Sequence, residues 1–372
     1  MNIFKKRGHC DYSLLFIILF MLCLGLVMLY STSSYSAQIK FGDSAWYLKK
    51  QAFITIGGVF LMIVVSRMDY HFFANFAFIG FIVAHILVLL VMTPLGIEAN
   101  GARRWLNLGI TSFQPAEFVK LAVILYLAYK ISKSSRQTHK VSYIIKIVAY
   151  ALPLVAMILF ITSNMSSAII VFAIAVILIF VASPKYKPFI AMGGGAVGVL
   201  ALYLLFAGGY RAERIRAWLN PELYASESGY QVLQGLYAIG SGGLFGKGLG
   251  RSVQKLGYVP EAQNDMVFAI ICEELGFIGA IAIIVLFVFM IWRFMVVASN
   301  APDLFGSLLL VGIMAHISVQ VILNIAVVTN TIPNTGITLP FISYGGTSIL
   351  FLLIEMGMAL SVSRAVYNQE NI

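Results

Sequence analysis

Four of the 15 acidic residues in this 372-residue chain, Glu261, Asp265, Glu273 and Glu274, fall within "PEAQNDMVFAIICEELGFIG" (260–279), a polar run that turns apolar. A carboxylate at such a boundary is a candidate general base, because burial raises a carboxyl's proton affinity toward neutral pH. Asp265 stands where the apolar segment starts, so helix capping is the competing explanation for it. Glu273 lies eight residues further on, roughly 80° around a helix and ~12 Å deeper, and Glu274 points to nearly the opposite face. A second candidate is in "TSFQPAEFVKLA" (111–122). Pro115 suits the first turn of a helix and Gln114 can cap it. Glu117 then falls where the helix dipole favours a carboxylate, and Lys120 follows at i+3 on the same face. A structural ion pair would use the same spacing. The third candidate, "NTIPNTGITLPFISYGGTS" (330–348), has two prolines, three glycines and several hydroxyls, which make poor helix and a rigid polar loop. Ser343 and Gly345 in it are candidates for substrate contact.

The elements that position these residues follow from composition. The chain is 60% hydrophobic and 11% charged, where a soluble domain is about a quarter charged. Apolar runs near 20 residues recur throughout, each long enough to cross a ~30 Å hydrocarbon core. The fold class is therefore an all-α polytopic membrane protein of about ten spans. They lie near 12–30, 50–66, 72–92, 113–131, 143–162, 166–183, 188–208, 266–292, 303–329 and 345–365. Residues 1–372 read as a single membrane domain, with a tail over 1–11 and one large loop, 209–265, between spans seven and eight. An even span number puts both termini on one side, and the basic "FKKRGH" and "KISKSSRQTHK" (130–140) make that side the cytoplasm.

Glu117, Lys120 and Asp265 then share one depth near the extracytoplasmic face. A charged pair one turn inside a membrane helix must face protein or water, so a polar cavity is expected beside span four. Far-side bases also cluster: Lys40, Lys49 and Lys50; Arg103 and Arg104; Arg211, Arg214, Arg216, Lys247, Arg251 and Lys255. As a set they suit an anionic ligand at headgroup level, such as a lipid phosphate, although single residues could be snorkelling. Arg103, Arg104, Arg251 and Lys255 are the cations taken as substrate-binding candidates. Trp105 beside them is a further substrate-binding candidate, with interfacial anchoring as the competing explanation.

Other classes are disfavoured. The net charge of +10 comes without a basic helix or soluble module, so no nucleic acid is expected. "GSGGLFGKGLG" (240–250) fails the phosphate-loop pattern, with Ser241 for its first glycine and Gly248 for its final Ser or Thr. Its glycines better serve tight turns and close backbone approach. The three cysteines and five histidines show neither disulfide nor zinc spacing. His85 and His316, inside apolar runs, read as helix-packing hydrogen bonds. Glu355, in span ten, has no evident role.

"NGARRWLNLGITSFQPAEFVKLA", "GSGGLFGKGLGRSVQKLGYVPEAQNDMVFAIICEELGFIG" and "LPFISYGGTS" together resemble the SEDS family of FtsW, RodA and SpoVE, over nearly the whole chain. The resemblance implies a peptidoglycan glycosyltransferase that polymerises lipid II at the outer face of the bacterial cytoplasmic membrane. It implies a class B penicillin-binding protein as partner, with other divisome proteins as further candidates. The family's essential Asp matches Asp265, and its Glu/Lys pair matches Glu117 and Lys120. The chain departs from the family at Gln263 and Asn264, where His-Thr is common. "GLGRSVQKLGYVPEA" and "GLVMLYSTSS" look more like the division and sporulation types than the elongation type.

The expected chemistry is an inverting transfer with Asp265 as base, Lys120 and nearby arginines neutralising the diphosphate, and Glu117 holding Lys120. No cofactor is called for, though a divalent cation at the diphosphate is compatible. A lipid II flippase would need the same cations but no base, and would place charged groups at both faces and midway. A scaffold that only recruits the synthase would tolerate loss of Glu117, Lys120 and Asp265.

Overall fold

The computed structural model describes residues 10–99, 101–107, 109, 112–205, 210–224 and 229–370. Helices dominate because the apolar runs leave the backbone no partner but itself in lipid. They are α1 (Tyr12–Phe41), α2 (Trp46–Arg67), α3 (His71–Leu90), α4 (Pro115–Lys133), α5 (Val141–Phe160), α6 (Met165–Ala182), α7 (Lys187–Leu205), α8 (Tyr210–Leu219), α9 (Tyr230–Gly242), α10 (Val267–Ser299), α11 (Leu304–Val328) and α12 (Gly346–Glu370). Among the described residues eight are long and apolar enough to cross a membrane by length and composition, namely α1, α2, α3, α5, α6, α10, α11 and α12. α4 matches an expected span but carries Glu117, Lys120, Lys130 and Lys133; α7 matches the seventh.

The helices alternate in direction. Asp11 before α1, Arg293 late in α10 and Ser363 late in α12 meet at one face, where the Asp11 N–H donates to Ser363 Oγ at 3.0 Å and Arg293 pairs with Asp11. Tyr70 and His71, at the α2–α3 turn, reach Asp303 before α11 on the same tail face. At the opposite, loop face, β1 (Gly96–Ala99), β2 (Ala102–Asn107) and β3 (Ser112–Phe113) form an antiparallel sheet in the order β1-β2-β3. This sheet fills the connection before α4, which the hydropathy pattern leaves blank.

Burial sorts the helices into centre and rim. α12 and α11 are mostly buried, whereas α3 is mostly exposed. α4 and α11 pack on each other at the centre and on both α6 and α12, α2 lies along α12, and α1 along α10. Lys120 is among the largest fully buried side chains of this core.

The connection expected as one large loop, 209–265, contains α8 and α9, and α9 packs along α10. α10 is broken at Gly276 (φ 69°, ψ −170°), a left-handed φ that only glycine adopts without strain. Backbone groups freed by that break find partners in the glycine-rich stretch. The N–H groups of Lys247 and Gly248 donate to the carbonyls of Glu273 and Glu274, each at 2.9 Å, and those of Phe277 and Ile278 donate to the carbonyls of Gly243 and Leu244 at 2.9 and 3.1 Å. A Cβ on Gly246 would fall 2.2 Å from the Glu274 carbonyl oxygen. The glycines are there for backbone-to-backbone docking.

Candidate functional site

Asp265 lies two residues before α10, whose N-cap is Met266 with no side-chain cap bond. The N-cap position is thus Met266 and not Asp265. Asn324 of α11 holds the residue by its main chain, Nδ2 donating to the Asp265 carbonyl at 2.9 Å. Gln231 of α9 donates from Nε2 to Asp265 Oδ1 at 3.3 Å, and Asn334 donates to Gln231 Oε1 at 3.1 Å. Gly336 (φ 66°) abuts the carboxylate, where a Cβ would stand 3.7 Å from Oδ2. The side chain is buried but for an edge, 9% exposed.

The two residues that depart from the family pattern face elsewhere. Gln263 Nε2 and Asn264 Nδ2 both donate to Glu261 Oε2, at 3.3 and 2.6 Å. The Gln263 carbonyl accepts the Tyr344 N–H at 2.9 Å, tying the segment before Asp265 to the loop before α12. Burial, with Tyr47 adjacent, pushes the Tyr344 hydroxyl up to about 12.

Lys120 Nζ pairs with Glu117 Oε1 at 2.9 Å, and Ser348 also bonds Glu117. Protein encloses the pair, with Lys120 1% exposed. Lys120 also donates to Gln320 Oε1 of α11 at 3.0 Å. Gln320 and Asn324 are four residues apart, one helical turn and ~6 Å of rise. Their amides hold consecutive carbonyls of the 330–348 loop, Thr338 at 3.1 Å and Ile337 at 2.7 Å. One turn of α11 thus joins the Glu117–Lys120 pair, the polar loop and Asp265. His316, one turn earlier, bonds Gln320 Oε1 through Nε2 at 3.0 Å and Glu355 of α12 through Nδ1 at 2.8 Å. Sequence reasoning missed Gln320 and Asn324, and Glu355 found no role. The signal was present: His316, Gln320 and Asn324 recur at four-residue spacing on one face of an apolar helix.

Glu273 and Glu274 are both buried. Glu273 pairs with Lys247 at 2.7 Å and accepts the Val253 and Gln254 N–H groups at 3.1 and 3.3 Å. Glu274 accepts from Ser31 Oγ of α1 and from Lys255 Nζ, each at 2.7 Å. Lys255, a candidate for substrate, is thus buried against Glu274 and away from the Asp265 network. Arg251 is exposed on the same loop. Glu274, expected on the opposite helix face, is half of an ion pair, and Glu273 anchors the loop.

The β-hairpin cations are partly committed. Arg103 pairs with Glu98 across the strands at 3.3 Å, with both side chains at least half exposed. Arg104 donates to the Ser163 and Thr162 carbonyls at 2.9 and 3.3 Å, holding the hairpin to the α5–α6 turn. Trp105 is half-buried opposite Ile97. Ser343 accepts the Leu339 N–H at 2.8 Å, so its hydroxyl closes a turn, and the Gly345 N–H donates to Gln51 Oε1 at 3.3 Å. Arg216 is exposed at the end of α8; the side chains of Arg211 and Arg214 lie outside the described residues. Among the described residues no three His, Cys, Asp or Glu gather in a way that could hold a metal ion.

Comparison with known proteins agrees with this architecture. The FtsW/RodA/SpoVE family model, described as cell cycle protein, matches residues 12–368. Stage V sporulation protein E of Bacillus subtilis is 40% identical, covering 96% of this chain and 98% of that protein. The probable peptidoglycan glycosyltransferase FtsW of Trichlorobacter lovleyi is 38% identical, covering 96% and 94%. Among solved structures, a chain of a peptidoglycan synthase complex that coordinates polymerization and crosslinking superposes with a TM-score of 0.79 at 25% identity, over 95% of this chain and 98% of that one. With its match running almost end to end, the chain belongs to the FtsW/RodA/SpoVE family of multi-pass membrane proteins.

Proposed function

We propose that this protein is a peptidoglycan glycosyltransferase that polymerises lipid II, the undecaprenyl-diphosphate-linked disaccharide peptide, into glycan strands. The names of its relatives support the activity, and the higher identities fall to division- and sporulation-type proteins. The observation that carries the chemistry is the nearly buried Asp265, fixed through its main chain by Asn324 one turn of α11 from the Gln320 that binds Lys120. The reaction is an inverting transfer. Asp265 takes the proton of the acceptor sugar hydroxyl, whose oxygen bonds to the donor's anomeric carbon as the bond to the diphosphate breaks. Lys120, enclosed with Glu117 and Gln320, acts from inside the protein, holding the turn of α11 that also carries Asn324. Arg251 and the hairpin's Arg103 and Arg104 add positive potential where the leaving charge grows, an electrostatic term that usually dominates such steps. Lys255 is not assigned to substrate, because Glu274 neutralises it.

The loop face is extracytoplasmic in this reading and both termini are cytoplasmic, in agreement with the basic tail and the 130–140 turn. A class B penicillin-binding protein supplies the crosslinking activity. The test is polymerisation of purified lipid II by the wild type and by Asp265→Ala, with the partner present. The wild type makes long glycan chains and the variant none; a variant that made full-length chains would refute Asp265 as base.

A further inference from the structure

Three large polar side chains, His316, Gln320 and Asn324, follow one another at four-residue spacing on α11. Asn324 holds Asp265 and Gln320 holds Lys120, while His316 and Glu355 have no part in the reaction above. Both are nonetheless buried at the centre of the bundle, 3% and 0% exposed. A buried ionisable pair between spanning helices calls for a role.

Hydrogen-bond accounting locates its protons. Gln320 Nε2 donates to the Thr338 carbonyl at 3.1 Å, which fixes the amide's orientation. Gln320 Oε1 is then the acceptor shared by Lys120 Nζ and His316 Nε2, each at 3.0 Å. His316 Nε2 therefore carries a hydrogen. Nδ1 faces a Glu355 oxygen at 2.8 Å, a separation that needs a hydrogen between the two atoms. A neutral ring protonated at Nε2 and an ionised carboxylate would have none. The pair thus holds one further proton, as imidazolium with carboxylate or imidazole with carboxylic acid. Either form is neutral overall, as is Glu117 with Lys120.

We infer that His316 and Glu355 are positioning residues for Lys120, sharing one proton and acting through Gln320. The His316 N–H fills the second acceptor site of Gln320 Oε1 and, with Thr338, prevents the amide from turning its NH2 toward the Lys120 ammonium. A turned amide would set donors against a cation and push Lys120 from its place beside Glu117. The inference rests on the function proposed above.

The experiment uses the full-length protein with its partner transpeptidase and purified lipid II. His316→Phe with Glu355→Leu replaces both members together, so that neither is left as a lone buried charge. Loss of a hydrogen bond that orients a charged group predicts a kcat lower by about tenfold, with KM little changed. Glu355→Gln can still donate an N–H to Nδ1 and keeps a rate within about twofold of wild type. In a Gln320→Leu background the double replacement causes no further loss, because the path it acts through is already gone. A double variant that polymerises at the wild-type rate overturns the inference. So does one that adds its full loss to that of Gln320→Leu, or a Glu355→Gln variant as slow as the double. Wild type and Asp265→Ala run alongside. A wild type that makes no polymer, or an Asp265→Ala variant that makes it normally, overturns the proposed function and this inference with it.

Discussion

Replacing Lys255 with Met separates two roles for this cation, substrate binding and internal neutralisation of Glu274. The pair spans 2.7 Å with side chains 5% and 0% exposed. Removing one member of a buried ion pair costs about 3–5 kcal/mol, because the remaining charge stays desolvated. Glu274 would keep Ser31 Oγ at 2.7 Å and the Ser252 N–H at 3.4 Å, so the lower end, about 3 kcal/mol, is expected. Adding Glu274→Leu removes the stranded carboxylate and recovers part of the loss, leaving about 2 kcal/mol, about 1 for each of the unpaired Ser31 and Ser252 donors. Buried Cys272 on α10 reports the unfolding. With Cys10 and Cys23 changed to Ser, it is the last of the three cysteines, and a thiol-reactive dye in detergent follows its exposure on heating. Lys255→Met melts well below wild type, and the double variant melts between the two. If Lys255→Met instead melted with the wild type while losing polymerisation, Lys255 would act on substrate and the structural reasoning would be wrong.

Two further outcomes follow from the same geometry. Gly276→Ala forces a Cβ to 2.3 Å from the Gly246 nitrogen at a φ of 69°, breaking the docking of the glycine stretch, whereas Gly250→Ala (φ 79°, nothing within 4 Å) meets only the left-handed backbone cost of about 1–2 kcal/mol; equal melting of the two variants by the same dye assay would sink that account. At the tail face, burial alone would raise the Asp303 carboxyl, but the Gly306 N–H, the Tyr70 hydroxyl and His71 outweigh it and hold it below the ordinary range. A depressed carboxyl stabilises the fold above its unfolded value, about pH 4, and that contribution is lost as pH falls through the folded value. Asp303→Asn should therefore melt below wild type at pH 7 and converge with it under acid; a gap that persisted or widened on acidification would refute this.

The spans were legible because crossing a bilayer is a local demand on length and polarity. Their expected positions near 12–30, 143–162 and 303–329 fall on α1, α5 and α11. The Glu117–Lys120 spacing also survives folding, because i+3 neighbours on a helix meet whatever surrounds them. Other features were hidden for physical reasons. "EELGFIG" reads as continuous apolar helix, and the break at Gly276 exists only because the glycine stretch docks there. The 96–113 hairpin and α9 are stabilised by what they lie against, so hydropathy does not mark them. Lys255 looked like one more exposed cation because Glu274 is 19 positions away in the chain, and their meeting depends on a loop folding back.

What the sequence by itself determined is the membrane architecture, the candidate acids and the i+3 pair, since each follows from composition or from spacing along one element. The tertiary structure decided which of those charges are committed to one another. It gave Glu273 and Glu274 to Lys247 and Lys255, linked Lys120 through Gln320 to His316 and Glu355, and set Asp265 on Asn324. Charge pairing depends on distances of about 3 Å between atoms far apart in the chain, and only packing of the helices brings them together.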